Sequence, residues 1–268
     1  MKKFSENTKY GDIVYEPLFK GYEYMIDFRR SSFSHEFENL TLKSIEDRFS
    51  WEAKKMVDSA NYLYESQKNA NVFYNMFPEK SVGLAAFVKE EKSRFALICP
   101  GGGYSAICAI TEGYNLAKRL NKLGFSAFVL SYSVGKNATA PNPQQDIAQA
   151  VRFIISNADK FNIDVKDYIV IGFSAGAHVA GCFGTRELGY KKYSLPAPKM
   201  LVLGYPVVIM GDSMVPFENF RLLEGALQKA NVEFRYEAFP YNTHGLPIGA
   251  DKNDEDWILR ALSFYNSL

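Results

Sequence analysis

Residues 172–176 read Gly-Phe-Ser-Ala-Gly, directly after the apolar run Tyr168-Ile169-Val170-Ile171. A serine in a G-x-S-x-G pentapeptide between a strand and a helix sits on a tight turn that pushes its hydroxyl out of the sheet. Gly172 and Gly176 carry no Cβ, so backbone can pass close to the turn on either side. A helix beginning near Ala175 directs free N–H groups at the same spot, where they would stabilise a developing oxyanion. A second glycine run, Cys99-Pro100-Gly101-Gly102-Gly103-Tyr104, follows the apolar run Phe95-Ala96-Leu97-Ile98. Glycines there leave backbone N–H groups free to point at a bound acyl oxygen.

A serine nucleophile needs a base, and the chain has three histidines. His35 lies in a polar N-terminal stretch without motif context. His178 is four residues past Ser174 on the same helix, so its side chain is expected to project along the helix and away from the turn. His244 stands in Phe-Pro-Tyr-Asn-Thr-His-Gly, beyond an expected alternating strand from Val232 to Phe239. A loop histidine can take the serine proton and return it to a leaving group, because its pKa lies near neutrality. The acid that would hold one tautomer of His244 is expected between serine and histidine in the chain. Asp212 in Gly-Asp-Ser-Met-Val-Pro fits best, with Glu218 as the alternative.

Taken together, the Pro-Gly-Gly-Gly-Tyr loop, Gly-Phe-Ser-Ala-Gly, Asp-x-x-Val-Pro and Thr-His-Gly resemble an α/β-hydrolase-fold esterase. The pattern is similar to the bacterial group that includes acetylxylan and feruloyl esterases, and the resemblance covers roughly residues 70–268. It implies Ser174 as nucleophile, His244 as general base and acid, and Asp212 as the third member. It also implies oxyanion N–H groups from Gly101, Gly102 and Ala175, with Gly103 able to share that role. No metal or organic cofactor is implied. The implied activity is hydrolysis of carboxylic esters through an acyl-enzyme, with short acyl groups on carbohydrates or similar small esters as the substrate class. A serine peptidase or amidase would use the same machinery, and a catalytically impaired binding protein on this fold stays open.

One departure bears on the acid. Such enzymes usually place a strand, a long crossover and another strand between the serine helix and the acid. Here Met200-Leu201-Val202-Leu203-Gly204-Tyr205-Pro206 runs almost straight into Val207-Val208-Ile209-Met210 and Asp212. Parallel neighbours need a crossover of about a dozen residues or more. Either one strand is missing or residues 207–211 form an extended loop that carries Asp212.

The elements that must position these residues follow from apolar periodicity. Strands are expected over 82–88, 95–99 and 125–132, and again before Ser174. Helices are expected over 111–123, with Leu116, Leu120 and Leu123 on one face and Gly124 as the stop, and over 144–158, 217–230 and 254–267. Strands alternating with helices imply an α/β fold, a mostly parallel sheet with helices on both faces, one strand short under the first reading of the 200–212 region. Residues 1–70 form a separate aromatic-rich N-terminal extension, and residues 71–268 the hydrolase-like domain. In the extension, Ser44 with Asp47 reads as a capping pair for one helix carrying Ile45, Phe49, Ala53, Met56, Ala60 and Leu63. That helix is expected to cover the sheet, and the irregular stretch 10–40 to contribute to a pocket as a lid.

Composition sets the outer limits. The chain has 268 residues, 47% of them hydrophobic, enough for a sizeable core. Its 31 basic and 30 acidic residues give a net charge of +1, which argues against a nucleic-acid surface. Cys99, Cys108 and Cys182 have no metal-ligand spacing and read as reduced packing residues, which points to a cytoplasmic location. The N-terminal Met-Lys-Lys-Phe lacks a following apolar segment, so no signal peptide is expected. No apolar run approaches membrane-spanning length. The expected partner is a small ester substrate; composition leaves the oligomeric state open.

Overall fold

The computed structural model describes residues 3–26, 36–49, 51–206, 217–237 and 257–268. Among them, six strands form one sheet: β1 Phe73–Phe77, β2 Val82–Phe87, β3 Ser93–Cys99, β4 Ser126–Ser131, β5 Ile163–Phe173 and β6 Met200–Gly204. Their order across the sheet is β1-β2-β4-β3-β5-β6. β1 and β2 run antiparallel to their neighbours, and β4, β3, β5 and β6 are mutually parallel. The central strands are continuous apolar runs because helices cover both faces of a parallel sheet. Every residue of β2 and β4 is buried, as is β5 from Tyr168 to Phe173.

Ten α-helices complete the described chain. Four precede the sheet: α1 Tyr10–Val14, α2 Glu36–Asn39, α3 Leu42–Phe49 and α4 Ala53–Asn69. Then come α5 Ala109–Glu112, α6 Tyr114–Lys122, α7 Asn142–Ser156, α8 Ala175–Gly184, α9 Phe217–Lys229 and α10 Trp257–Ser267. Parallel strands are joined by right-handed crossovers almost without exception. The chain leaves β3 toward β4 through α5 and α6, then returns past β3 to β5 through α7. Those two crossovers therefore lie on opposite faces: α5 and α6 pack with α4, and α7 packs with α8. The connections diverge at the carboxyl end of β3, and open α/β sheets bind ligands at such a point.

Register places that end beside the serine turn. Ile98 pairs with Ile171 and Cys99 with Gly172, while Phe173 pairs with Gly204 of β6. Pro100, Ser174 and Tyr205 therefore emerge from three adjacent strands at the carboxyl end of the sheet.

Several expected elements differ. The expected helix over 111–123 is two, α5 and α6, divided at Gly113, where a Cβ would lie 2.7 Å from Val129 Cγ1 and 2.8 Å from the Ala109 carbonyl. The expected helix from 45 to 63 is also two, α3 and α4. Its cap is Thr41 rather than Ser44, since the Ser44 N–H donates to Thr41 Oγ1 at 3.1 Å. Residues 232–237 show no regular structure although their side chains alternate. β1 was missed, because its Phe-Tyr-Asn-Met-Phe sequence has no clean alternation. The region 200–206 does contain one strand, β6, and the segment 207–211 at issue lies outside the described residues.

The first seventy residues share the core of the sheet domain. Asn61 on α4 accepts the Phe4 N–H at 3.0 Å and donates to the Phe4 carbonyl at 2.9 Å. Tyr22 stacks on Phe73 of β1 with ring centroids 4.8 Å apart, and Tyr62 stacks on Phe87 of β2 at 4.9 Å. Tyr10 and Tyr114 donate to the carbonyls of Ile26 and Met25, each at 2.6 Å. These bonds hold residues 25 and 26 near Gly83, whose partner Ser131 ends β4. The N-terminal chain thus reaches the end of the sheet where Ser174 lies. Tyr114→Phe leaves the buried Met25 carbonyl without that donor, so it should cost about 1–3 kcal/mol in urea denaturation with the m-value unchanged.

Candidate functional site

Ser174 joins β5 to α8 with φ +50° and ψ −121°, a strained conformation for a residue with a side chain. Its neighbours explain how the turn persists. A Cβ on Gly172 would lie 2.3 Å from the Gly176 carbonyl, and one on Gly176 only 2.0 Å from the Cys99 carbonyl. Both positions need glycine because α8 begins against the ends of β5 and β3. The Ser174 N–H donates to the Gly204 carbonyl at 2.9 Å, which ties the turn to β6. The Ser174 carbonyl accepts from Ala177 at 3.0 Å and His178 at 3.2 Å, so it opens the helix. Ala175 is then the first helical residue, at the positive end of the helix dipole. Ser174 is 6% exposed, so the turn lies in a largely enclosed position rather than on open surface.

The glycine loop passes directly over this serine. A Cβ on Gly101 would stand 2.9 Å from Ser174 Cβ. Gly102, Gly103 and Tyr104 all have positive φ, at +131°, +59° and +59°. A Cβ on Gly102 would meet the Ala106 carbonyl at 2.2 Å, so the loop curls back on itself. The N–H groups of Ser105 and Ala106 both donate to the Gly102 carbonyl at 3.0 Å.

Four further side chains hold the loop, and the sequence reading assigned none of them. Tyr132, just past β4, donates to the Pro100 carbonyl at 2.8 Å. Tyr104 Oη and His178 Nδ1 share a hydrogen bond of 2.6 Å. Glu112, buried at the end of α5, accepts the Gly101 N–H on Oε2 and the Tyr205 hydroxyl on Oε1 at 3.0 Å. The signal for Glu112 lies in its spacing: it stands four residues before Leu116 and eight before Leu120, a charged residue in register with the apolar positions of the helix expected over 111–123. Burial raises its pKa to about 7, partly offset by the two donated bonds. Burial also lowers the pKa of His178.

Ser174, Ala175, Gly101 and Gly102 come together. The Gly101 N–H is donated to the buried Glu112 carboxyl group. His178 is engaged at both ring nitrogens, with Nε2 3.6 Å from Cys182 Sγ. Asp212, His244 and the side chain of Glu218 lie outside the described residues, as does His35. All three cysteines are free thiols. Among the described residues, no cluster of histidine, cysteine, aspartate and glutamate is arranged to hold a metal ion. No described helix is long and apolar enough to cross a membrane.

The chain is similar to several known proteins. The family model described as BD-FAE matches residues 87–193, which contain both the glycine loop and Ser174. The endo-1,4-beta-xylanase B of Butyrivibrio fibrisolvens is 29% identical over 252 residues, covering 74% of this chain and 39% of that protein. The acetylxylan esterase of Xylanibacter ruminicola is 31% identical over 139 residues, covering 52% of this chain and 28% of that one. The chain thus spans well under half the length of these curated relatives. Among solved structures, the acetyl ester-xyloside bifunctional hydrolase of Caldicellulosiruptor lactoaceticus superposes with a TM-score of 0.60 at 26% identity, covering 76% of this chain and 94% of that one. The chain has the α/β-hydrolase fold. Within that fold it is similar to the bacterial acetylxylan and feruloyl esterase-like group.

The close approach at Gly176 gives a direct prediction. Gly176→Ala sets a methyl against the Cys99 and Pro100 carbonyls, so β3 and α8 must separate. The variant should lose about 1–3 kcal/mol or more in thermal or chemical denaturation, with cooperativity retained.

Proposed function

We propose that this chain is a serine hydrolase of carboxylic esters, acting on short acyl groups carried by carbohydrates or similar small alcohols. The observation that carries the reading is Ser174 on a strained turn at the head of α8, with the glycine loop folded directly over it. That pairing supports the reading, because a serine nucleophile and nearby backbone donors are the two parts an acyl transfer needs before any base is considered.

In the proposed reaction Ser174 Oγ attacks the ester carbonyl while His244 takes its proton. The tetrahedral oxyanion rests on backbone N–H groups of Gly102 and Ala175, with Gly103 able to share the charge. Collapse breaks the bond to the alcohol oxygen, which leaves with the proton from His244. Water activated by the same histidine then releases the acid and restores Ser174. Asp212 holds the histidine tautomer. Motif context supports His244 and Asp212, and the engagement of both His178 ring nitrogens supports a base outside α8. The acyl-on-sugar substrate is supported by relatives named for acetylxylan and acetyl ester hydrolysis.

Kinetics on p-nitrophenyl acetate and on an acetylated xylo-oligosaccharide test the reading. Ser174→Ala should lose on the order of 10³-fold or more in kcat and retain the wild-type melting transition. Asp212→Asn should lose on the order of 10⁴-fold if the tautomer argument holds, while Glu218→Ala stays near wild type. Turnover by Ser174→Ala at the wild-type rate would remove the serine from the mechanism. Turnover of aminoacyl amides but not esters would replace the ester reading with an amidase one.

A further inference from the structure

Glu112 is a buried carboxyl group that the proposed reaction does not use. It lies 3% exposed, and each of its oxygens is bound to a different element of the site. Oε2 accepts the N–H of Gly101, the first glycine of the loop over Ser174. Oε1 accepts the hydroxyl of Tyr205, one residue past the end of β6, at 3.0 Å. Gly101 is held from its other side too, because its carbonyl accepts the Cys108 N–H at 3.0 Å. Glu112 itself is anchored by its own N–H, which donates to the Cys108 carbonyl at 2.9 Å. Tyr205 has φ +37° and precedes Asp212 by seven residues.

We propose that Glu112 is a positioning residue that ties the glycine loop to the end of β6. It thereby fixes the loop's remaining N–H groups and the start of the chain leading to Asp212 in one arrangement around Ser174. The proposal rests on the reading of Ser174 as the nucleophile. By taking up the Gly101 N–H, Glu112 also decides which loop donors remain for an oxyanion, namely those after Gly101.

The bridge does not depend on the charge of Glu112. When ionised, the carboxylate accepts both bonds. When protonated on Oε1, it donates to the Tyr205 oxygen, which is a donor and an acceptor, and Oε2 still accepts from Gly101. This matters because burial brings its pKa to about 7. The titratable groups that face it are Cys108, Tyr132 and Tyr205, all driven further toward their neutral forms by burial. A glutamine can make the same two contacts, with its carbonyl toward Gly101 and its amide toward the Tyr205 oxygen. A leucine fills similar volume and makes neither.

The test compares Glu112→Gln, Glu112→Leu and Tyr205→Phe in the full chain. Two readouts are used: steady-state kinetics on p-nitrophenyl acetate, and the ¹H shift of the Gly101 amide by NMR. Glu112→Leu should lose about 10- to 100-fold in kcat with KM within about threefold, since misplacing a catalytic donor by about 1 Å is worth that much. Glu112→Gln should recover most of the loss, and Tyr205→Phe should fall between. The Gly101 amide should resonate downfield in the wild type and the glutamine variant and move upfield in the leucine variant. A folded leucine variant with wild-type kcat would overturn the positioning role. An unchanged Gly101 shift in that variant would overturn the bridge itself. If the wild type hydrolyses no ester, the functional reading fails, while the Gly101 resonance still decides whether the bridge exists.

Discussion

The site depends on one close approach. The Gly176 backbone lies so near the Cys99 and Pro100 carbonyls that no side chain fits between them. Because α8 can start there, Ser174 is held at the helix head in a conformation it would not adopt alone, and the chain leaving β3 passes directly across it. Adding the matched ends of β3, β5 and β6 gives three loops that converge on one point. The strain at Ser174 and Tyr104, both at positive φ, is tolerated because the surrounding sheet over-determines it, while Gly102 and Gly103 adopt positive φ without a side chain to clash.

A loop of glycines has little to hold it by packing, so polar side chains do the holding. Tyr132, Glu112 and the Tyr104–His178 pair each reach the loop from a different element. A hydrogen bond of this kind contributes only about 1 kcal/mol net, but leaving a buried group unpaired costs more, so each contact enforces its geometry. The aromatic N-terminal segment adds a further constraint. Its Met25 and Ile26 carbonyls are bonded to buried tyrosines near the carboxyl end of the sheet. That segment is part of the same core as the strands, and its residues near 25 approach the end of the sheet that carries the site.

Much of this could be read from the residues in order. The Gly-Phe-Ser-Ala-Gly turn, the glycine loop and the helices over 142–156, 217–229 and 257–267 follow from local pattern, where glycine content and apolar spacing act within a few residues. What escaped the reading arises from contacts between distant residues. The need for glycine at 113, where the helix divides, comes from Val129 on a strand of the sheet. The loss of the Gly101 N–H to Glu112 depends on the fold of the intervening loop. His178 braces Tyr104, a partner seventy-four residues away in the chain. Residues 232–237 alternate as a strand would, yet alternation alone supplies no partner to pair with. For Asp212 and His244, sequence motifs remain the only guide, since both lie outside the described residues.

The central claim is that Ser174 is an activated nucleophile, and covalent labelling tests it most directly. The intact protein would be treated with a serine-reactive alkyl fluorophosphonate and digested, and its peptides mapped by mass spectrometry. The account predicts a single adduct, on the peptide containing Ser174, formed faster than on any other hydroxyl and abolished by prior unfolding. A protein that stays folded and takes up no adduct at Ser174, or labels instead at another serine, would contradict it.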